Sequence, residues 1–130
     1  MSQSHLPPTP PALVERFELV LGRFPGLARR KMFGYPAAFL PAGHMVSGLH
    51  GSSWLVRLGE AAGAELMADG GTTFEPVPGR RMGGFYCLPP SVVADDAALS
   101  GWIERAVAHA ESLPPKRSPR RKANGQLPAG

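Results

Sequence analysis

The residue types best able to do chemistry in this chain are cations, and they fall in three groups. The first is the run Arg29-Arg30-Lys31-Met32-Phe33-Gly34-Tyr35-Pro36, which sets three positive charges beside an apolar pair and a glycine turn. The second is Arg80-Arg81, and the third is Lys116, Arg117, Arg120, Arg121 and Lys122 within seven residues near the C-terminus. Cationic side chains grouped this way attract an anionic partner: a carboxylate-rich protein surface or a phosphate backbone. The alternative for the two inner groups is pairing with surface carboxylates such as Glu75.

Other chemistry finds little footing. The sequence holds no G-x-S-x-G, H-E-x-x-H, Walker A or G-x-G-x-x-G pattern, and no nucleophile–base pair can be named, so the chain is expected not to be an enzyme. His5, His44, His50 and His109 are scattered without a second ligand at metal spacing, so neither a metal nor a cofactor is expected. Asp95-Asp96 are adjacent at a helix start and read as cap and dipole partners. Cys87 lies in an apolar strand, where a lone cysteine acts as a small core residue.

The charge is unevenly distributed. Of the 14 Lys and Arg residues, five lie beyond Leu113; the nine that remain face ten carboxylates, a formal −1. The basic character therefore belongs to the tail. Five cations in an extended segment would give a salt slope of at most about −4.5 on a log–log plot against duplex DNA. No aromatic residue is interleaved with them, so such binding would be non-specific in sequence, and a solvated tail that only raises solubility is the competing reading.

The elements that must position these groups follow from periodicity. Residues 1–11 are Pro-rich and polar and read as a disordered arm. Leu13, Phe17, Val20, Leu21 and Phe24 recur at helical spacing, from a start near Pro10 or Pro11 to Pro25-Gly26. Phe33, Tyr35, Ala37 and Phe39 alternate as one strand face. His44–His50 and Ser53–Leu58 follow as a hairpin about Gly51-Ser52. Glu60–Asp69 reads as a short helix closed by Gly70-Gly71, and 72–77 and Gly84–Leu88 as two further strands. Leu99, Trp102, Ile103, Ala106, Val107, Ala110 and Leu113 make a last helical stripe, with Trp54 and Trp102 as core anchors. The expectation is one α+β domain over 12–113, in the order α-β-β-β-α-β-β-α, with a mostly antiparallel sheet packed by one face on the terminal helices. A disordered basic tail over 114–130 completes it.

On these residues rests a resemblance. Arg30 to Tyr35, Met45-Val46-Ser47-Gly48-Leu49-His50-Gly51, Trp54-Leu55-Val56-Arg57-Leu58, Phe74-Glu75-Pro76-Val77-Pro78-Gly79-Arg80 with Met82, Leu88-Pro89, and the Trp102 helix running to Lys116 together resemble the N-terminal domain of the TfoX/Sxy family. The match covers roughly 12–116. It implies a secretion-chaperone-like α+β fold and a regulatory role. Full-length members regulate natural competence in bacteria, are thought to act with the cyclic-AMP receptor protein, and carry a second helical domain whose place here is taken by the basic tail.

The expected function is thus a non-enzymatic regulatory or adaptor domain working by protein–protein contact, with a transcription factor such as the cyclic-AMP receptor protein as its partner. Arg29, Arg30, Lys31, Arg80 and Arg81 are its candidate contact residues, and the tail supplies weak nucleic-acid affinity. The alternative is a small-molecule-sensing module with a pocket near Tyr35, His50 and Tyr86. A cytoplasmic location without membrane contact is expected, because no apolar run nears the roughly 20 residues of a spanning helix, no secretory signal opens the chain and the single cysteine forms no internal disulfide. Homodimerisation is compatible with the resemblance.

Overall fold

The computed structural model describes residues 8–76, 79–80 and 82–114. Its first element is α1 (Pro11–Leu21), where a proline in the first turn meets the helix without losing a needed N–H. Phe17, Val20 and Leu21 are its buried stripe. Strands β1 (Ala28–Met32), β2 (Tyr35–Phe39), β3 (Met45–His50) and β4 (Ser53–Arg57) then form successive antiparallel hairpins. After α2 (Glu60–Ala68) come β5 (Thr72–Thr73) and β6 (Phe85–Cys87), the one-turn helix α3 (Pro90–Val93) and the long helix α4 (Asp96–Glu111). The sheet order is β1-β2-β3-β4-β6-β5, and every neighbouring pair is antiparallel.

Two elements go beyond the sequence expectation. Strand β1 precedes the strands read from alternation, and Phe33, expected inside a strand with Tyr35, stands instead in the turn between β1 and β2. The reason is backbone handedness. Phe33 and Gly34 both have positive φ, 55° and 82°, and with Met32 opposite Tyr35 they close a two-residue loop of the primed type that matches strand twist. Glycine adopts that conformation without strain, and a phenylalanine does so rarely. Helix α3 is the second addition: Pro90 occupies its first turn, so the Pro89-Pro90 pair that ends the strand also starts a turn of helix.

The helices cover one face of the sheet. Phe17, Val20 and Leu21 of α1 and Leu99, Trp102, Ile103, Ala106 and Ala110 of α4 pack with Val46, Leu49, Trp54 and Val56 of the sheet. Pairing of β2 with β3 shifts between Ala38↔Ser47 and Phe39↔Met45, which leaves Val46 as the extra residue of a bulge and turns both Val46 and Ser47 to the helix side. Ser47 is the one buried polar side chain among the described residues, and both its bonds are made: its hydroxyl donates to the Leu55 carbonyl at 2.6 Å and accepts from Trp54 Nε1 at 2.9 Å. The indole N–H is thereby satisfied in the interior, where an unmet donor costs about 1–3 kcal/mol. Asp95 caps α4 by accepting from the amides of Ala97 and Ala98 at 3.1 and 3.2 Å, a contact of roughly 1 kcal/mol. Its neighbour Asp96 instead pairs with Arg23 at 2.8 Å, which holds the carboxyl below its usual range.

The opposite face is not bare, as a sheet with a single buried face would be. Ala37, Met45, Leu55, Phe74 and Phe85 form a second, smaller core there, joined by Met32, Phe39, Met82 and Cys87. Phe74 and Met82 reach it from the segment between β5 and β6, pinned to each other by the Met82 amide donating to the Phe74 carbonyl at 2.9 Å.

Candidate functional site

Strand β1 carries the first cationic group, and it is an edge strand. Alternation splits its side chains between the two faces of the sheet. Arg29 stands opposite Ala38, on the helix side, and its Nε donates to Glu18 Oε1 of α1 at 2.9 Å. Arg30 stands opposite Ala37, on the other side, with its guanidinium 5.4 Å from the Phe39 ring centroid. Lys31 returns to the helix side and is exposed. The three cations therefore line one edge and face both ways, rather than forming a single patch.

At the tip of this hairpin Phe33 is 46% exposed, one of three large apolar side chains so placed among the described residues. Its ring meets the His50 ring edge-on at 5.7 Å. His50, at the end of β3, is also 4.8 Å from the Tyr35 ring and 5.1 Å from the Phe74 ring. Burial among these rings pushes the imidazole below its ordinary pKa of 6.5, opposed by a backbone hydrogen bond, so it is neutral at pH 7. The resulting aromatic cluster ties the hairpin tip to the segment that carries Phe74.

Arg80 is exposed and lies in the β5–β6 segment. Arg80 falls between Phe74 and Met82, in the segment that packs on the second face of the sheet, and belongs to neither edge strand. Arg81 and the tail cations Lys116, Arg117, Arg120, Arg121 and Lys122 lie outside the described residues.

Tyr35 and His50 do meet, but Tyr86 does not join them. Its ring packs on the helix side against Gly63 of α2, where an added Cβ would overlap it. Tyr86 instead borders a cleft of roughly 260 Å³ between α2 and β6, with Glu60, Met67 and Thr73 on its walls. Cys87, half-buried on the second core, has its thiol pushed up by burial, against hydroxyl contacts from Thr72 and Ser53. His44 Nε2 bonds the Pro114 carbonyl, and His109 is held below its ordinary value by burial, by Arg57 and by His44. Among the described residues no three His, Cys, Asp or Glu side chains gather as metal ligands, and no helix is long and apolar enough to cross a membrane.

Reading from the sequence misplaced Phe33, and it carried the strand at 72–77 past Thr73, where β5 ends. The one local signal of the turn was the glycine of Phe33-Gly34, since the charged run Arg29-Arg30-Lys31 before it shows no strand alternation.

An antiparallel sheet backed by helices, with a cationic edge strand ending in an exposed aromatic, defines a small α+β domain with a charged, open sheet edge among its described residues. Residues 20–110, well over half of the 130, match the TfoX N-terminal domain model, and the chain belongs to that family. Comparison with curated proteins and with solved structures finds no match.

Proposed function

We propose that this domain is a non-enzymatic regulatory adaptor of the competence type, which works by holding a protein partner of the transcription machinery. Family membership supports the regulatory class. The observation that carries the contact reading is Phe33: a large apolar side chain, nearly half exposed, in a left-handed backbone conformation at the tip of the most cationic strand. The left-handed backbone and the exposed half of the ring are each unfavourable terms within the isolated fold, and such positions cluster where a second molecule makes use of them. The partner of choice is a transcription factor such as the cyclic-AMP receptor protein, with the basic tail adding weak, salt-sensitive affinity for nucleic acid. A photo-crosslinking amino acid in place of Phe33, used in the native host, tests this reading. Covalent capture of a transcription factor or a polymerase component is expected; capture of no such protein would remove the adaptor role.

A further inference from the structure

We infer that strand β1 is a docking edge for an extended acidic peptide, which adds to the sheet as a seventh strand. The inference rests on the adaptor reading and specifies its surface and the chemistry of its ligand. The backbone supplies the first argument. Met32 and Tyr35 close the two-residue loop as a hydrogen-bonded pair, so Arg30↔Ala37 and Ala28↔Phe39 are hydrogen-bonded pairs as well. Arg29 and Lys31 are then at the alternate positions, and their N–H and C=O groups point away from β2. Pro36, opposite Lys31, agrees with this register, since its missing N–H removes no bond to β1. Among the described residues no strand lies beyond β1 in the sheet, and residues 28–31 are all exposed. Two donors and two acceptors along about 17 Å of strand are open to an added chain.

Charge selects the occupant. Arg30 and Lys31 form no ion pair among the described residues, whereas Arg29 is bonded to Glu18. Positive side chains project on both sides of the strand, so an incoming chain meets a cation whichever face its own side chains take. A second copy of β1 would set like charges opposite one another, which destabilises strand pairing. The tail of this chain, with five cations and no carboxylate, is rejected for the same reason. Cations on an edge also guard against self-association, and here that same charge favours a strand rich in Glu or Asp. Phe33 adds an apolar anchor at the end of the track.

The test uses the full chain, labelled with ¹⁵N, and a capped seven-residue peptide of alternating Val and Glu. The expected result is amide perturbation centred on residues 28–33, with affinity that falls as salt rises. Removal of the peptide's N–H groups on one edge by N-methylation should weaken binding about tenfold or more, because the added ladder loses its donors. In the paired variant Arg30→Glu with Lys31→Glu, preference should switch to the peptide with Lys in place of Glu. That gain of binding also reports that the variant is folded. Perturbations confined to residues 116–122, equal binding of the Glu and Lys peptides, or equal binding of the N-methylated peptide would each overturn the proposal. If the crosslinker at position 33 captures a transcription component while the peptide leaves β1 untouched, the edge proposal fails and the adaptor reading stands. If the peptide adds to β1 and the crosslinker captures no transcription component, the reverse holds.

Discussion

Replacing Phe33 by alanine and by asparagine separates two opposing terms at the hairpin tip. Both substitutions remove the aromatic ring, of which a little over half is buried. A phenylalanine presents about 200 Å², so roughly 100 Å² of apolar contact is lost. At about 25 cal/mol per Å² this is near 2.5 kcal/mol, and about 2 kcal/mol once the compactness of the unfolded chain is allowed for. The second term has the opposite sign. A left-handed φ of 55° costs a residue with a Cβ about 1–2 kcal/mol, a cost that alanine retains and asparagine largely escapes. Phe33→Ala should therefore destabilise by about 2 kcal/mol, and Phe33→Asn by about 1 kcal/mol less than that. Urea unfolding resolves such a gap, and on melting it corresponds to about 4–8 °C for a domain near 100 residues. An Asn variant no more stable than the Ala variant would refute the strained-turn argument. Beyond stability, the Asn variant is the sharper functional probe: it should fold well and still lose the partner contact ascribed to Phe33.

Two further outcomes follow from packing and from titration. Gly63→Ala drives a methyl group into the Tyr86 ring, and the overpacking should cost about 1–3 kcal/mol even though alanine is the better helix former. In a thermodynamic cycle, Tyr86→Ala should abolish most of that penalty; additive effects would show that the two residues do not touch. His50 and His109 both titrate below the ordinary 6.5 because burial favours their neutral forms. The unfolded chain therefore binds more protons near pH 6, so their contribution is fully present above about 6.5 and is lost as pH falls through that value toward the folded pKa. Melting temperature should drop between pH 7.5 and 5.5, and His50→Gln with His109→Gln should flatten the drop; an unchanged profile would contradict it.

Much of the fold is written locally. The stripes Phe17-Val20-Leu21 and Leu99-Trp102-Ile103-Ala106-Ala110 have helical period, and Asp95 stands where a cap is needed. Trp54, Val56 and Leu58 alternate as a strand does, and Gly51-Ser52 marks a hairpin that forms. These signals are legible because period and capping depend on residues three or four positions away at most. The family resemblance is equally local in its parts, since it is read from short segments in a fixed order along the chain.

Local signals thus settle the class of domain: its helices, the β3–β4 hairpin and most of the helix-side core. Three things depended on tertiary structure. Strand β1 has exposed, charged residues with no alternation to reveal it, and only its pairing with β2 makes it a strand at all. The second core exists because the segment after β5 folds across the sheet and brings Phe74 to His50, contacts between residues far apart in the chain. The cationic run was visible as composition, but its division between two faces, and its place on an open edge, came from register and strand order. Periodicity reports the face a residue shows to its own element; which element lies beyond, or whether any does, is settled only when the whole chain closes on its cores.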